Sequence, residues 1–326
     1  MLLSILFLAG GIALLVGGSE ALVRGAAHMA RLLGMRPFVI GVTVVAFGTS
    51  APELAASIGF TLSEQSEAAV TNVVGSNIAN IGLILGLTAL LKPVPVARSI
   101  LRRDAPMMVG ISILASLTLL DLRITRVEGA MLTVGIVAYV WVTYRLGRVD
   151  PEAIRHELDR EREHGLDLIP PEELKRAWRN VALILVGLAG LLVGSRLVVS
   201  GAMDIAEAVG IPPALVSLTM VAFGTSLPEL AACAAAARRG ESEIALGNVV
   251  GSNVFNLLSV LGVSALVRPL TAPTDIWSHL WVMLGLSGAA LLVSGPRRRV
   301  GRLSGSLLLT AYLAYVIVVY ARDAGL

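Results

Sequence analysis

The chain has 326 residues, 56% hydrophobic and only 15% charged, with a formal net charge of +3 and a mean hydropathy of +0.80. That composition excludes a soluble domain of this length. A lone cysteine, Cys233, excludes an internal disulfide framework, and basic residues confined to short loops argue against nucleic-acid binding.

Apolar runs of about 18 residues or more, the length that crosses a bilayer core, recur along the chain. They predict ten transmembrane helices at residues 2–25, 38–60, 68–91, 104–120, 127–146, 179–203, 212–237, 243–267, 276–294 and 303–321. The first has no Lys or Arg before Arg24. It reads as a retained span, because a signal peptide opens on a basic segment. The long hydrophilic stretch 147–178 separates two groups of five spans. Its mixed-charge core, RHELDREREH at 155–164, lacks the alternating Asp/Asn ligands and glycine of a calcium loop, so it reads as a solvated connector with no sensor role.

Residues 43–56 (TVVAFGTSAPELAA) and 219–232 (TMVAFGTSLPELAA) are identical at twelve of fourteen positions. Residues 72–80 (NVVGSNIAN) and 248–256 (NVVGSNVFN) match at seven of nine, at the same offset of 176. The offset also aligns Gly18-Ser19 with Gly194-Ser195, Gly34 with Gly210, Pro37 with Pro213, Leu85-Gly86 with Leu261-Gly262 and Pro93 with Pro269. The chain is therefore a duplicated unit. Five spans is an odd number, so the second copy enters the membrane from the opposite side, and the expected architecture is an all-α membrane protein of two inverted five-helix repeats. The expected division is 1–146, a connecting loop 147–178, and 179–326.

Of the 26 Lys and Arg, 21 lie nearest the five loops that follow odd-numbered spans. The positive-inside rule then places those loops, including 147–178, in the cytoplasm and both termini outside a cell membrane.

Each copy carries an acid inside an apolar span. In the first, Gly48, Thr49, Ser50, Pro52 and Glu53 lie near the centre of span 2; in the second, Gly224, Thr225, Ser226, Pro228 and Glu229 do so in span 7. Proline removes the hydrogen bond to the carbonyl four residues back and loosens that turn, so freed oxygens at mid-membrane need a partner. Asn72, Ser76 and Asn80, and their copies Asn248, Ser252 and Asn256, are spaced by four and form a second polar face. Gly75, Gly82, Gly86, Gly251 and Gly262 are expected to allow close helix approach. A charged carboxylate at the bilayer centre costs about 2.5–3.5 kcal/mol on insertion scales. Two sharing a cavity are neutralised by one Ca²⁺ or two Na⁺, and hydroxyl, amide and carbonyl oxygens favour such hard ions over zinc or copper. A neutral loaded site can change its facing, whereas an empty doubly charged one cannot do so cheaply; that favours obligatory exchange over a channel. No histidine lies in the cluster, and Cys233, at the position of Ser57, reads as packing.

On these motifs the chain resembles the sodium/calcium exchanger family of the cation/calcium antiporter superfamily. The two GTS-x-PEL and two GSN-x-x-N segments look like its paired alpha repeats, and the likeness covers essentially everything outside the central loop. The resemblance implies that Glu53 and Glu229 are the central calcium ligands. It implies that Thr49, Ser50, Thr225 and Ser226 line sodium sites with the carbonyls of Ala46 and Ala222, that Ser76 and Ser252 complete the outer and inner sodium sites, and that Asn80 and Asn256 border the central one. It implies three Na⁺ exchanged per Ca²⁺, and first and sixth helices that slide past the core on Gly10, Gly11, Gly17, Gly18, Gly187, Gly190 and Gly194. Some relatives carry aspartate where this chain has Asn256, which weakens a case for potassium co-transport, and the large cytoplasmic regulatory domains of animal exchangers are absent. Neither a cofactor nor an obligate protein partner is expected.

A calcium/proton antiporter is the alternative. Family members that use protons tend to place Asn after the motif glycine, so the Thr-Ser pairs favour sodium. An intramembrane hydrolase lacks a metal motif or a base near Ser50 and Ser226, and a passive channel would carry calcium without a counter-ion.

Overall fold

The computed structural model describes residues 2–147, 171–208, 224–295 and 298–323. Its helices are α1 (Leu2–Leu32), α2 (Pro37–Thr49), α3 (Ala51–Leu62), α4 (Ser66–Leu91), α5 (Ala105–Leu117), α6 (Arg126–Leu146), α7 (Pro171–Ala208), α8 (Leu227–Arg239), α9 (Ser242–Val267), α10 (Ile276–Ser294) and α11 (Arg302–Asp323). Among the described residues seven of them are long and apolar enough to cross a membrane singly, and α2 with α3, bent by 43° at their break, make an eighth. Helix α5, preceded by a π-helical turn at Ile100–Asp104, and α8 are described parts of the fourth and seventh spans. Helix α1 runs past residue 25 to Leu32 because helical hydrogen bonding continues where the apolar run stops. Helix α6 begins where Thr125 and Glu128 cap each other, with the Glu128 N–H donating to Thr125 Oγ1 and the Thr125 N–H to Glu128 Oε2. The central part of the connector, and Gly210, Pro213 and Ala222, lie outside the described residues.

The packing of α1 on α7 demonstrates the inversion. A Cβ on Gly11 would lie 2.8 Å from the Gly194 carbonyl oxygen, and one on Gly18 would lie 2.9 Å from that of Gly187. Gly11 and Gly187 are repeat equivalents, as are Gly18 and Gly194. The two contacts therefore interchange under a two-fold axis, and the helices run antiparallel. Gly86 against Gly305 and Gly262 against Gly129 form another such interchanged pair. Small residues let helix backbones touch where lipid supplies no hydrophobic drive. One expectation changes here: a Cβ added to Gly75 would meet nothing within 4 Å, so no helix approaches closely at that glycine; Gly10 and Gly17 on α1 likewise face open space.

Loop contacts sort onto two faces. On one, Arg36 pairs with Glu243 at 2.9 Å, its N–H donates to the Gly147 carbonyl, Arg103 donates to the Leu146 carbonyl, and β1 (Val94–Pro95) pairs with β4 (Arg299–Val300). These join the loops that follow odd-numbered spans. On the other, Arg268 pairs with Glu64 at 2.8 Å, Arg322 with Asp275 at 3.2 Å, and β2 (Arg123–Ile124) with β3 (Leu270–Thr271). Turn geometry repeats too: Glu64 and its equivalent Gly240 have φ of 63° and 80°, and Leu122 and its equivalent Arg298 have φ of 60° and 47°.

Candidate functional site

The site grows from two helices opened by proline, α3 and α8, set beside α4 and α9. Ser50 (φ −85°, ψ 7°) ends α2, and Pro52 opens α3, placing Glu53 in the first turn of α3. Ser226 (φ −87°, ψ −1°) and Pro228 do the same for α8 and Glu229. Both acids thus sit at helix N-termini, where the helix dipole is positive. The carbonyl of Gly224, freed by Pro228, accepts the Ser195 hydroxyl of α7. That freed oxygen finds the partner it needs in a neighbouring helix. In α4 and α9 the equivalent residues Asn80 and Asn256 each open a π-helical turn, Asn80–Leu85 and Asn256–Val260. Wide turns of this kind recur at functional sites, because they expose backbone and re-aim side chains.

Glu53 and Glu229 are each 1% exposed, and they are close enough for their charges to interact. Ser50 Oγ donates to Glu229 Oε1 at 3.0 Å, and Thr225 from the second repeat lies against Glu53. Each acid is therefore served by a hydroxyl of the other repeat. Thr49 Oγ1 donates to Asn248 Oδ1 at 3.1 Å and lies 3.4 Å from the Ala46 carbonyl. That carbonyl also accepts the Ser50 N–H at 2.9 Å. Ser76 and Ser252 are 5% and 0% exposed, and Asn80 and Asn256 are 2% and 0%. The structure thus brings Glu53, Glu229, Thr49, Ser50, Thr225 and Ala46 together at the repeat interface, and it buries Ser226, Ser76, Ser252, Asn80 and Asn256.

What these atoms lack is as informative. Among the described residues Glu53 Oε2, Glu229 Oε2, Ser226 Oγ, Ser252 Oγ and Asn256 Oδ1 are buried with no hydrogen-bond partner. Among the described residues no Lys, Arg or His pairs with either acid, and the undescribed stretch 209–223 contains none of these residue types. Unpaired buried acceptors of this kind are rare and call for a proton or a cation.

A supporting shell is not evident from spacing alone. Asn72 Nδ2 donates to Ser57 Oγ at 3.0 Å. In the second repeat Asn248 Nδ2 donates to Cys233 Sγ at 3.3 Å, and the thiol donates to the Ala245 carbonyl at 3.6 Å. Cys233 therefore does the hydrogen-bonding work of Ser57 as well as packing, and Asn248 acts as a brace for Thr49. Asn77 spans the repeats, donating to the Asn253 carbonyl and accepting from Asn256. Its signal was present, since Asn77 and Asn253 are identical in the duplicated motif.

The profile of the sodium/calcium exchanger protein family matches residues 3–145 and 179–321. The chain belongs to that family. The sodium-calcium exchanger NCX_Mj shares its fold, with a TM-score of 0.84 and 30% identity, over 97% of this chain and 98% of that one. Sodium/calcium exchanger MaX1 of Methanosarcina acetivorans is 32% identical over 339 residues, 95% of this chain and 96% of the relative. Inner membrane protein YrbG of Escherichia coli is 36% identical over 322 residues, 98% of each chain. This exchanger is accordingly a multi-pass, all-helical membrane protein with the ten-helix inverted-repeat fold. It is a cation/calcium exchanger and not an enzyme.

Proposed function

We propose that the protein exchanges Na⁺ for Ca²⁺ by alternating access at the repeat interface. Glu53 and Glu229 are the calcium ligands. Thr49, Ser50, Thr225, Ser226, Ser76, Ser252, Asn80, Asn256 and the carbonyls of Ala46 and Ala222 complete the ion sites. The observation that carries this is the pair of buried carboxylates, each with one oxygen unpartnered among the described residues. One Ca²⁺ or two Na⁺ neutralise them, so only a loaded site crosses between facings at low cost. The Thr-Ser pairs, one of which reaches Glu229 through Ser50, favour sodium as the coupling ion. MaX1 is named a sodium/calcium exchanger, and NCX_Mj was solved after soaking with Na⁺ and Ca²⁺ or Sr²⁺, which supports the same reading.

The basic loops, 147–178 among them, face the cytoplasm and both termini lie outside. The membrane is the inner membrane, as the name of YrbG states for that relative. The repeats are 1–146 and 179–326. Uptake of radiolabelled calcium into proteoliposomes, with a Na⁺, K⁺ or pH gradient imposed separately, tests the coupling. Uptake driven by outward Na⁺ alone is expected. Equal uptake on a pH gradient without sodium would establish the proton antiporter, and uptake with no gradient a channel.

A further inference from the structure

Asn256 carries a buried Oδ1 with no partner among the described residues. An amide has two ends, and turned round it would present N–H groups to a cation. Something must decide which end faces the site. The Asn253 carbonyl oxygen is a backbone acceptor whose role cannot be inverted. Asn77 donates to it through Nδ2 at 3.2 Å, and the same Nδ2 lies 3.8 Å from the Met283 sulfur, a second acceptor. That places the Asn77 oxygen on the remaining side, where it accepts from Asn256 Nδ2 at 3.1 Å. The orientation of both amides is therefore set by one main-chain atom through two hydrogen bonds. All three residues are essentially buried, with Asn77 and Asn256 0% exposed and Asn253 1%, so water does not compete.

We infer that Asn77 is a positioning residue for ion binding: it holds the Asn256 carbonyl oxygen toward the ion and touches no ion itself. This rests on Asn256 being an ion ligand, as proposed above. The repeats are not equal in this respect. Asn253, the counterpart of Asn77, donates to the Val249 carbonyl of its own helix at 2.7 Å and does not bridge to Asn80. The clamp therefore acts on the second-repeat amide in the conformation seen.

The test is calcium uptake by purified protein in proteoliposomes. Asn77→Leu and the smaller, polar Asn77→Ser both remove the clamp. Each should raise the half-saturating Ca²⁺ concentration by about tenfold or more, the usual effect of losing a ligand-orienting partner. Uptake at saturating Ca²⁺ should stay within about twofold of the parent, because the change acts on binding. Asn77→Leu should lose much of its effect in an Asn256→Asp background, since a carboxylate has two equivalent oxygens and no wrong orientation. Unchanged half-saturation in both single variants, or an equal loss in the Asn256→Asp background, overturns the inference. Asn256→Leu separates the two readings. If it leaves uptake unchanged, Asn256 is no ligand and the site assignment fails with it. If it impairs uptake while both Asn77 variants are silent, the site stands and this inference alone falls.

Discussion

The two repeats are nearly one sequence at the site, yet they hold different conformations. Thr49, Leu227, Pro228 and Asn248 are buried, while their counterparts Thr225, Ala51, Pro52 and Asn72 are half-buried. On the side toward the basic loops, α1 packs along α8, and Glu20 pairs with Arg239 and Arg31 with Glu241. On the other side, among the described residues, α7, the repeat equivalent of α1, makes no comparable contact with α3. Ser195 of α7 reaches across to the Gly224 carbonyl, whereas its equivalent Ser19 turns back to Val16 at 3.0 Å in its own helix. Among the described residues the second repeat's motif is the more closely covered, and the cover lies toward the basic loops. Chemically matched halves in unlike conformations are what alternating access requires, because exchanging the two conformations re-aims one unchanged set of ligands.

The strongest challenge to this comparison is to remove each acid in turn. Glu53→Gln and Glu229→Gln should each abolish calcium uptake while the purified protein still folds and elutes as the parent does. Retained transport in either would show that the repeats do not share one site. Lower pH should also slow uptake, since protons compete with the ion for both carboxylates; a rate unaffected by acid would contradict a shared site.

Accessibility sharpens the asymmetry. In a Cys233→Ser background, a cysteine at position 72 should react with a water-soluble thiol reagent, and one at position 248 should not, as measured by labelling of the ion-free protein. Similar rates would mean that the difference in burial between the two positions is not a difference in access. The braces come next. Cys233→Ser should change stability little, because Ser57 already fills the same place in the first repeat. Cys233→Ala should cost about 1–2 kcal/mol by thermal or denaturant unfolding, as it strands a donor of the buried Asn248. A Cys233→Ala variant as stable as the parent would reduce the residue to packing.

The smallest effect concerns the turns. Gly240→Ala should cost about 1 kcal/mol at its φ of 80°. Glu64→Gly should move the melting point little, since relief of the backbone is offset by losing the exposed pair with Arg268. Arg268 holds the Glu64 carboxyl below its usual range. The pair's small stabilisation is therefore complete above the ordinary carboxylate pKa and fades as pH falls through the lowered one. A melting point that rises on acidification across that window would contradict this.

Much of this was legible from residues 43–56 and 72–80 and their copies. An acid, two hydroxyls and a proline inside an apolar span admit few explanations, and repeating them at a constant offset removes most of the rest. The odd number of spans implied the inversion that Gly11, Gly18, Gly187 and Gly194 display in their contacts. Hydropathy and duplication are local or periodic properties, so one chain suffices to read them. Which glycines face a helix and which face open space depends on crossing geometry, and Gly75 shows that spacing does not supply it. The brace from Asn248 to Thr49 and the clamp from Asn77 to Asn256 join residues 199 and 179 positions apart. Only folding brings such groups within hydrogen-bonding range. The unlike packing of the two halves lies further still from the sequence, because near-identical motifs can take either arrangement, and the way α1 and α7 lie against the core decides which repeat is more closely covered.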